Sequence, residues 1–407
     1  MRVKHLIKFP PFLCLYFLYQ LSKLMRRDTA KWVFGSHLGY ADNSKFLFIE
    51  VIENHPEINA IWIFHHKRDV VKLRKKGFKA YHWLSLKGIY HCLTAKVYVC
   101  TRNAFDINTY TSGGAILLDL NHGVGVKQCF WKRPGAIEKR FGTTIEKIKR
   151  SFFYKVNNLS ELFRNPDICL VPSYSQAERF FAPMYNIPVE SCLLANYPRN
   201  EALLWDANKR DTVIRKYDNL ASLEYIAYLQ QFSKVYIYMP TWRDNGSDFI
   251  NKAHIDVVRL NEVLKQCNSL LVFKLHPFTK LDVEEWGHLS NISLFDRRCD
   301  LYHVIPYTHC LITDYSSIYS DYVLLDKEII LYVFDKNEYL EHCHDLEDYD
   351  KYYLGKQAYN FDELIQMITD NVDCHIPQKD KDFVMRFYWD SINNGVDIVE
   401  EVKKRLH

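Results

Sequence analysis

The feature that most constrains the fold is an alternation of short apolar runs with amphipathic segments, which begins near Lys31 and restarts after residue 231. The order strand, helix, strand is typical of a parallel sheet covered by helices on both faces. A polar, helix-prone section at 206–231 separates the two stretches. The pattern predicts two doubly wound α/β domains, and 407 residues are enough to give each domain its own core.

The candidate elements follow from apolar runs bounded by turn residues. In the first stretch the predicted strands are 32–34, 58–64, 97–100, 115–120 and 168–171, with helices at 43–53 and 175–181. In the second stretch they are 235–239, 270–275, 310–313 and 329–333, with helices at 260–266 and 317–325. Two further helical patterns, 383–389 and 396–406, follow a break at Ile376-Pro377. Ligands of such sheets bind at the carboxyl ends of the strands, so the two domains are expected to face a cleft there.

Residues 1–30 form a separate segment, with an apolar, aromatic run flanked by basic residues. The uninterrupted apolar part, Phe12 to Tyr19, is shorter than the roughly 18 to 20 residues that span a bilayer. Lys23, Arg26 and Arg27 follow it. This pattern predicts an amphipathic segment that lies on an anionic membrane surface, and the alternative is a helix packed on the protein's own core.

Composition excludes several classes of protein. The formal net charge of +4 is too close to balance to indicate a nucleic-acid-binding protein. The 11 cysteines are scattered without a C-x-x-C pair, which argues against a disulfide framework or a thiolate zinc site and favours a reducing cytoplasm. His342-Cys343-His344 and the acidic triplet Asp348-Tyr349-Asp350 are interpreted as surface loops, so no metal site is predicted.

The most informative motif is at 310–318, where an apolar strand runs into a hydroxyl-rich turn and then a helix. Such a turn offers backbone N–H groups and two hydroxyls, which together suit a phosphate group. Ser316 and Ser317 are the first candidates, and Thr313 and Asp314 precede them in the same turn. An ordinary helix cap is the alternative interpretation of these residues.

Two more predicted strand ends of this domain carry groups suited to phosphate. Lys274 and His276 stand two residues apart, so both side chains leave the same face of the strand. A lysine can neutralise phosphate oxygens, and a histidine can donate to them or protonate a leaving group near neutral pH. Arg243 follows a third strand with the planar fork that binds phosphate in a bidentate manner. Three such strand ends in one domain indicate an anion site.

The first domain has its own polar strand end at 118–127, where a buried strand breaks into His122 and closely spaced glycines. Gly123 allows a substrate to approach the backbone, and His122 is a candidate general base. A capping or core histidine is the alternative. Arg199 and Asn200 lie in a polar elbow at 196–201, for which a plain helix start is the alternative.

The ordered motifs resemble the CDP-glycerol glycerophosphotransferase family, the teichoic acid and capsule polymer synthases. The early G-Y-A-D-N-S-K at 39–45 and the late N-N-G at 393–395 are also similar to that family, so the resemblance covers most of the chain from Lys31 onward. The motifs that carry it are N-H-G-V-G-V-K at 121–127, Y-P-R-N-E at 197–201, Y-M-P-T-W-R at 238–243, F-K-L-H-P at 273–277 and I-T-D-Y-S-S at 312–317.

The resemblance implies a GT-B type fold in which two Rossmann-like domains face an interdomain cleft. The implied parts are an acceptor domain 31–215, a CDP-donor domain 216–380 and C-terminal helices 381–407 that pack back towards the acceptor domain. They follow the predicted membrane-surface segment 1–30, which the resemblance does not cover. By this resemblance His122 and His276 are the catalytic histidines. Ser316, Ser317 and Arg243 match the family's positions for the donor's diphosphate. Lys274, Thr313 and Asp314 are further candidates for the donor's phosphates, and the candidates for the acceptor side or cleft are Gly123, Lys127, Arg199 and Asn200.

The implied reaction moves glycerol phosphate, or a related polyol phosphate, from CDP-glycerol to a hydroxyl of a lipid-linked polymer acceptor and releases CMP. The implied location is the cytoplasmic face of the membrane, without a nucleic-acid partner, a tightly bound cofactor or a structural metal, and magnesium assistance stays open. The sequence departs from the family at Asn121, Gly125 and Glu201, where Trp, Pro and Asp are frequent. Two alternatives are a GT-B glycosyltransferase that uses a nucleotide sugar and a peripheral membrane adaptor without enzymatic activity.

Overall fold

A computed structural model describes residues 17–125, 164–241, 252–275, 286, 288–342, 348–390 and 394–406. The described residues form two compact units. The first unit contains the described residues up to His122, those at 164–199 and those at 394–406. The second contains 123–125 and the described residues of 200–390. The two tail helices divide between the units, since Gln378–Tyr388 belongs to the second and Ile398–Lys404 to the first.

The first unit is built on a seven-stranded parallel sheet with the order β3-β2-β1-β4-β5-β6-β7. Its central strands are mainly apolar where they are buried, and Val97, Tyr98 and Val99 of β4 are fully buried. A strand buried in this way needs cover on both faces, as the sequence pattern predicts. The strands are β1 Asp28–Phe34, β2 Asn59–Phe64, β3 Ala80–His82, β4 Ala95–Cys100, β5 Ile116–Asp119, β6 Ile168–Val171 and β7 Cys192–Leu194.

The second unit is built on a six-stranded parallel sheet with the order β10-β9-β8-β11-β12-β13. Its core combines the inward faces of β8, β9, β11 and β12 with flanking helices. The strands are β8 Lys234–Tyr238, β9 Ser269–Phe273, β10 Ile292–Leu294, β11 Cys310–Thr313, β12 Glu328–Tyr332 and β13 Lys356–Ala358.

The helices that cover the sheets are mostly amphipathic. Several begin with a side-chain cap: Asp206, Asp256 and Asn360 accept hydrogen bonds from backbone N–H groups of the first turn. The α-helices of the first unit are Asp42–Asn54, Lys67–Lys75, Leu86–Thr94, Tyr174–Gln176, Ala182–Tyr185 and Ile398–Lys404, and the helix Pro198–Leu203 contains the boundary between the units. Those of the second are Ala207–Tyr217, Ala221–Leu229, Val257–Gln266, Leu301–Val304, Ile318–Val323, Lys336–His342, Tyr349–Tyr352, Phe361–Thr369 and Gln378–Tyr388.

The two predicted doubly wound α/β units are confirmed, and each predicted strand is present within one or two residues at most ends. Among the described residues, the strands that the sequence pattern did not predict are β3, β7, β10 and β13. Each has three residues and lies at an edge of its sheet. Three residues are too few to establish a periodic pattern, and an edge strand has less need of apolar residues on both faces.

The described part of the N-terminal segment is anchored to the first unit on one side. Tyr19 is 3% exposed, and the Ser22 hydroxyl accepts a hydrogen bond from the Gly113 N–H at 2.9 Å. The Arg27 guanidinium donates to the Ala95 carbonyl at 2.6 Å. This side matches the alternative interpretation, a helix packed on the protein's own core.

The opposite side of the same segment is apolar and exposed, since Phe17 is 63% and Leu24 is 83% accessible to solvent. Within the described ranges, no helix has both the length and the apolar character needed to cross a bilayer.

The acidic triplet at 348–350 corrects one prediction. The structure has a helical turn, Tyr349–Tyr352, in place of a solvated loop. Tyr349 is buried, and its hydroxyl donates to the Asp314 carbonyl at 3.1 Å, while the carboxylates on either side of it are exposed. The acidic residues made the segment look like a surface loop in the sequence, but burial of the Tyr349 ring between them fixes it as a helical turn. Cys343 and His344 of the other predicted loop lie outside the described residues.

Both sheets reverse their strand order beside the first strand of the unit. The reversal lies between β1 and β4 in the first sheet and between β8 and β11 in the second. Crevices at such reversals, outside the carboxyl ends of the strands, are where open α/β sheets bind ligands.

Candidate active site

In the first unit, His122 follows a sharp turn at the end of β5. The backbone of Asn121 is left-handed with φ +54, and Gly123 has φ +149. Asparagine and glycine are among the few residues that adopt positive φ readily. The turn therefore depends on the residues on both sides of His122, whose own side chain reaches solvent.

Buried polar groups hold this turn from behind. Asp119 accepts from the Asn121 N–H at 2.9 Å and from the Tyr185 hydroxyl at 2.7 Å. The Asn121 side chain donates to the Leu170 carbonyl of β6 at 2.8 Å. Burial raises the pKa of Asp119 to about 6. The Asp119 carboxyl group therefore supports the turn from a buried position. At neutral pH its charged form is buried, and this lowers the stability of the folded state.

The surroundings of His122 favour its neutral form. Desolvation by neighbouring protein atoms lowers the pKa of His122 below the usual histidine value, and the charges of Arg199 and Arg102 act in the same direction. The nearby carboxylate of Asp42 opposes this effect. A neutral imidazole with one face open to solvent can accept a proton, which is what a general base must do.

A second histidine lies beside His122 and was not among the predicted site residues. The ring centroids of His37 and His122 are 6.2 Å apart. His37 follows β1 at the reversal of the strand order, where the Thr101 hydroxyl lies 3.5 Å from its Nδ1 atom. Asp106 fixes the end of the neighbouring strand β4, since its carboxylate accepts from the Thr101 N–H at 3.0 Å. The signal in the sequence was the same as for His122, a histidine just after a buried apolar strand.

Arg199 is placed in the first unit and Asn200 in the second. The Arg199 guanidinium donates to the Asp42 carboxylate at 2.7 Å, and both side chains are almost completely buried. Asn200 is buried and donates to Asp321 at 2.9 Å. Asp42 was also missed by the sequence analysis. Its backbone is left-handed, with φ +64, at the first residue of the helix Asp42–Asn54.

In the second unit, the carboxyl ends of β8 and β11 are fastened together. The Asp314 carboxylate accepts from the Thr241 N–H at 2.8 Å and from the Tyr315 N–H at 2.5 Å. The Thr313 hydroxyl donates to the Met239 carbonyl at 2.7 Å. Thr313 and Asp314, which the sequence placed among the donor-binding residues, are buried and hold the two strand ends together.

Ser316 and Ser317 follow directly and are half-buried. Their hydroxyls make no hydrogen bond within the part of the chain that the structure describes, whereas the Ser317 carbonyl accepts from the Ser320 hydroxyl at 2.7 Å. Two hydroxyls on a fixed turn are suited to bind an anionic group.

Tyrosines fix the backbone of the same turn from the core. The Tyr353 hydroxyl donates to the Tyr315 carbonyl at 3.2 Å, next to the bond from Tyr349 to the Asp314 carbonyl. The Tyr315 ring stacks on Tyr339 with a centroid distance of 3.8 Å. No sequence motif indicated these tyrosines, because the contacts join segments more than 20 residues apart.

Lys274 lies at the end of β9, the neighbour of β8. Its N–H donates to the Tyr238 carbonyl at 2.9 Å, and the side chain is half-buried with its Nζ atom 5.7 Å from the Phe295 ring centroid. Desolvation lowers the pKa of Lys274, and the charge of Arg297 adds to this effect. His276, Arg243 and Lys127 lie outside the described residues.

Among the described residues, two groups of side chains have the composition of a metal site. Neither group includes a residue of the two strand-end turns, 119–123 and 313–317. In the first, His55 lies 3.5 Å from Asp397 and 3.7 Å from Glu400, and Lys403 pairs with the same Glu400 carboxylate. The second consists of Glu328, Asp373 and His375.

A family model described as CDP-glycerol:poly(glycerophosphate) glycerophosphotransferase matches residues 15–402. The chain belongs to this family. The match covers both strand-end turns and confirms the family resemblance of the ordered motifs.

Two curated relatives show how far the similarity extends. The teichoic acid ribitol-phosphate polymerase TarK of Staphylococcus aureus is 28% identical over 215 residues, which are 50% of this chain and 40% of the relative. The teichoic acid poly(glycerol phosphate) polymerase of Bacillus spizizenii is 22% identical over 395 residues, 94% of each chain. The chain thus spans less than half the length of TarK but nearly all of the second relative.

A solved structure of the wall teichoic acid polymerase TagF soaked with CDPG has a TM-score of 0.69 at 22% identity. The alignment covers 97% of this chain and 92% of that one. This likeness confirms the predicted GT-B type of fold built from two Rossmann-like units.

Proposed function

We propose that this protein transfers glycerol phosphate from CDP-glycerol to a hydroxyl of a lipid-linked teichoic-acid or capsule-type acceptor and releases CMP. The observation that carries the proposal is the strand-end turn at 121–123, which presents the His122 imidazole to solvent in a chain of the CDP-glycerol glycerophosphotransferase family. The relative that covers 94% of each chain is named a poly(glycerol phosphate) polymerase, which supports glycerol as the polyol.

The first unit supplies the base in this mechanism. His122 removes the proton from the acceptor hydroxyl as its oxygen attacks the phosphorus that bears glycerol. A bond forms between this oxygen and phosphorus, and the phosphorus–oxygen bond to CMP breaks. The proton stays on His122 until solvent removes it. No covalent intermediate with the enzyme is needed.

The second unit supplies the donor site in this mechanism. The hydroxyls of Ser316 and Ser317 and the ammonium group of Lys274 would bind the diphosphate and stabilise the negative charge that develops on CMP. Arg243 and His276, outside the described residues, are proposed to act on the same phosphates, with His276 beside the leaving oxygen. In this proposal Gly123, Lys127, Arg199 and Asn200 serve the acceptor side of an interdomain cleft.

The lipid-linked acceptor requires the protein to work at a membrane surface, which we propose is the cytoplasmic face. The exposed side of the N-terminal segment supports this, since it combines Phe17 and Leu24 with the basic residues Lys23 and Arg26. Apolar side chains with cations around them bind anionic lipid surfaces. Replacing Phe17 and Leu24 together with Ser should reduce sedimentation with phosphatidylglycerol vesicles, whereas Leu294→Ser, at an exposed leucine of the second unit, should not.

The test of the reaction is incubation of the purified full chain with membrane acceptor and one donor at a time. The donors are CDP-glycerol, CDP-ribitol and a UDP-sugar, each with and without magnesium, and released nucleotide is followed by chromatography. The proposal expects CMP from CDP-glycerol that depends on acceptor.

Each other outcome has a definite meaning. Turnover of CDP-ribitol alone would keep the reaction type but replace the polyol, as the name of TarK suggests. Consumption of the UDP-sugar alone would establish a glycosyltransferase. Absence of turnover with all three donors would contradict the proposed function and favour the adaptor.

A further inference from the structure

A single buried carboxamide joins the turn before His122 to the helix that carries Arg199. The Asn43 side-chain nitrogen donates to the Asn121 carbonyl at 2.9 Å and to the Leu120 carbonyl at 3.2 Å. Its oxygen accepts from the Arg199 N–H at 3.2 Å. Three backbone groups from two distant segments are therefore satisfied by one side chain.

Water cannot take over these bonds, because Asn43 is 0% exposed. Its own position is fixed by its neighbour, since the Asp42 carboxylate accepts from the Asn43 N–H at 2.8 Å and also from the Arg199 guanidinium. The carbonyl groups of Leu120 and Asn121 belong to the two residues that immediately precede His122. The hydrogen bonds from Asn43 to these carbonyls therefore help to position the His122 imidazole.

We propose that Asn43 is a positioning residue for His122, which fixes the turn that presents the base and ties it to Arg199. The inference rests on the proposed function in one respect, the role of His122 as the base. Asn43 touches neither donor nor acceptor in this proposal and acts only through the turn.

The chemistry of the site requires a carboxamide. Aspartate at position 43 would still accept from the Arg199 N–H, but it would place an anionic oxygen against two carbonyl oxygens. Alanine would leave both carbonyls without their donor in a buried place. In either variant the turn has to move to find new partners, and a displacement of about 1 Å costs about 10²-fold in rate.

The experiment compares Asn43→Ala and Asn43→Asp with the matched control Asn108→Ala. Asn108 is also buried in the first unit and also bridges backbone groups, since it donates to the Trp83 carbonyl and accepts from the Tyr110 N–H, both at 3.2 Å. Two properties are measured in the full chain: the kinetics of CMP release from CDP-glycerol and the titration of His122 by NMR, assigned with His122→Gln.

For the Asn43 variants we expect kcat to fall about 10²-fold with KM for CDP-glycerol unchanged, because the proposed donor groups lie on the other unit. We also expect the pKa of His122 to rise towards the usual histidine value, because a loosened turn lets the ring move away from the protein atoms that desolvate it. The control should lose stability without either change. Asn43→Asp, which keeps the volume and the acceptor oxygen, serves if Asn43→Ala does not fold at the assay temperature.

An unchanged titration of His122 in a folded Asn43 variant would overturn the inference, and so would a shift of the same size in Asn108→Ala. The NMR measurement needs no substrate. If the chain does not use CDP-glycerol at all, the proposed function fails, and the titration still decides the role of Asn43.

Discussion

The two strand-end turns, at His122 and at Ser316, are held by different kinds of side chain. The turn of His122 is held by amides and carboxylates, chiefly Asn43, Asp119 and Asn121, in a buried polar network. The turn of Ser316 is held by one carboxylate at the strand ends and by phenol hydroxyls from a stacked tyrosine cluster. The first arrangement holds the backbone that presents a single imidazole. The second keeps a backbone rigid while its hydroxyls stay available, which suits binding of an anion.

The largest loss of rate is expected from a change in the His122 turn. His122→Ala removes the proposed base and should lower kcat about 10²-fold or more in the CMP-release assay. The control is His375→Ala, at an exposed histidine of the second unit that pairs only with Asp373 in the described part of the chain. Full transfer activity in a folded His122→Ala protein would remove the base from the mechanism.

The buried carboxyl group of the first turn gives a prediction about stability. The pKa of Asp119 is raised to about 6 from 3.8, so the folded state binds this proton more tightly than the unfolded state. Its contribution to the free energy of unfolding is therefore present below pH 3.8 and is lost as the pH rises through about 6. Between these two pH values, the raised pKa of Asp119 lowers the free energy of unfolding by about 3 kcal/mol.

Asp119→Asn should remove this dependence, and denaturant unfolding at several pH values between about 4 and 7 measures it. Asp69→Asn, at a surface carboxylate that pairs with Lys72, should keep the wild-type dependence. Equal pH dependence in wild type and Asp119→Asn would show that the carboxyl group does not carry the cost of burial described here.

For the second turn, the loss should appear in donor binding. Ser316→Ala and Ser317→Ala should each raise KM for CDP-glycerol about tenfold, because each removes one of the proposed hydrogen bonds to the charged diphosphate. Ser233→Ala alters a serine that bonds only with exposed Asn268 in the described region, and it should leave KM unchanged. A fall in kcat at constant KM would place these hydroxyls at the reacting atoms and weaken the contrast between the turns.

The smallest effect is expected from the tyrosine support. Tyr353→Phe deletes one hydroxyl and leaves the ring, so the turn loses its bond to the Tyr315 carbonyl but keeps its packing. We expect KM for CDP-glycerol to rise by roughly the fivefold that corresponds to a single neutral hydrogen bond. Tyr359→Phe, at an exposed tyrosine, is the matched control. An unchanged KM would mean that stacking alone holds the turn.

The sequence predicted much of this molecule because its central elements are long and apolar. Strands such as β6 and β11 were predicted at the bounds that the structure has, since a buried parallel strand is apolar throughout. His122, Lys274 and the Ser316-Ser317 pair were found because each follows such a strand. The same rule would have indicated His37, after β1, which the sequence analysis passed over.

Other parts could not be read from local pattern. Asp42 and Asn43 act through contacts with Arg199, about 156 residues away in the chain. Tyr349 was hidden in an acidic run, and its role depends on a bond to the backbone of Asp314. Hydrogen bonds between distant segments leave no periodic trace in a sequence.

By itself, the sequence determined that the chain folds into two parallel α/β units and which strand ends carry chemical groups, because burial on both faces dictates residue type along every central strand. The tertiary structure alone decided which of those groups are supports and which are available to a ligand. The Asp314 carboxylate is occupied by hydrogen bonds to backbone N–H groups, while His122, Ser316 and Ser317 keep part of their surface accessible. Whether a polar group is a support or is available to a ligand depends on its burial and on the hydrogen-bond partners that the fold brings near it. Residue identity alone does not specify either of these.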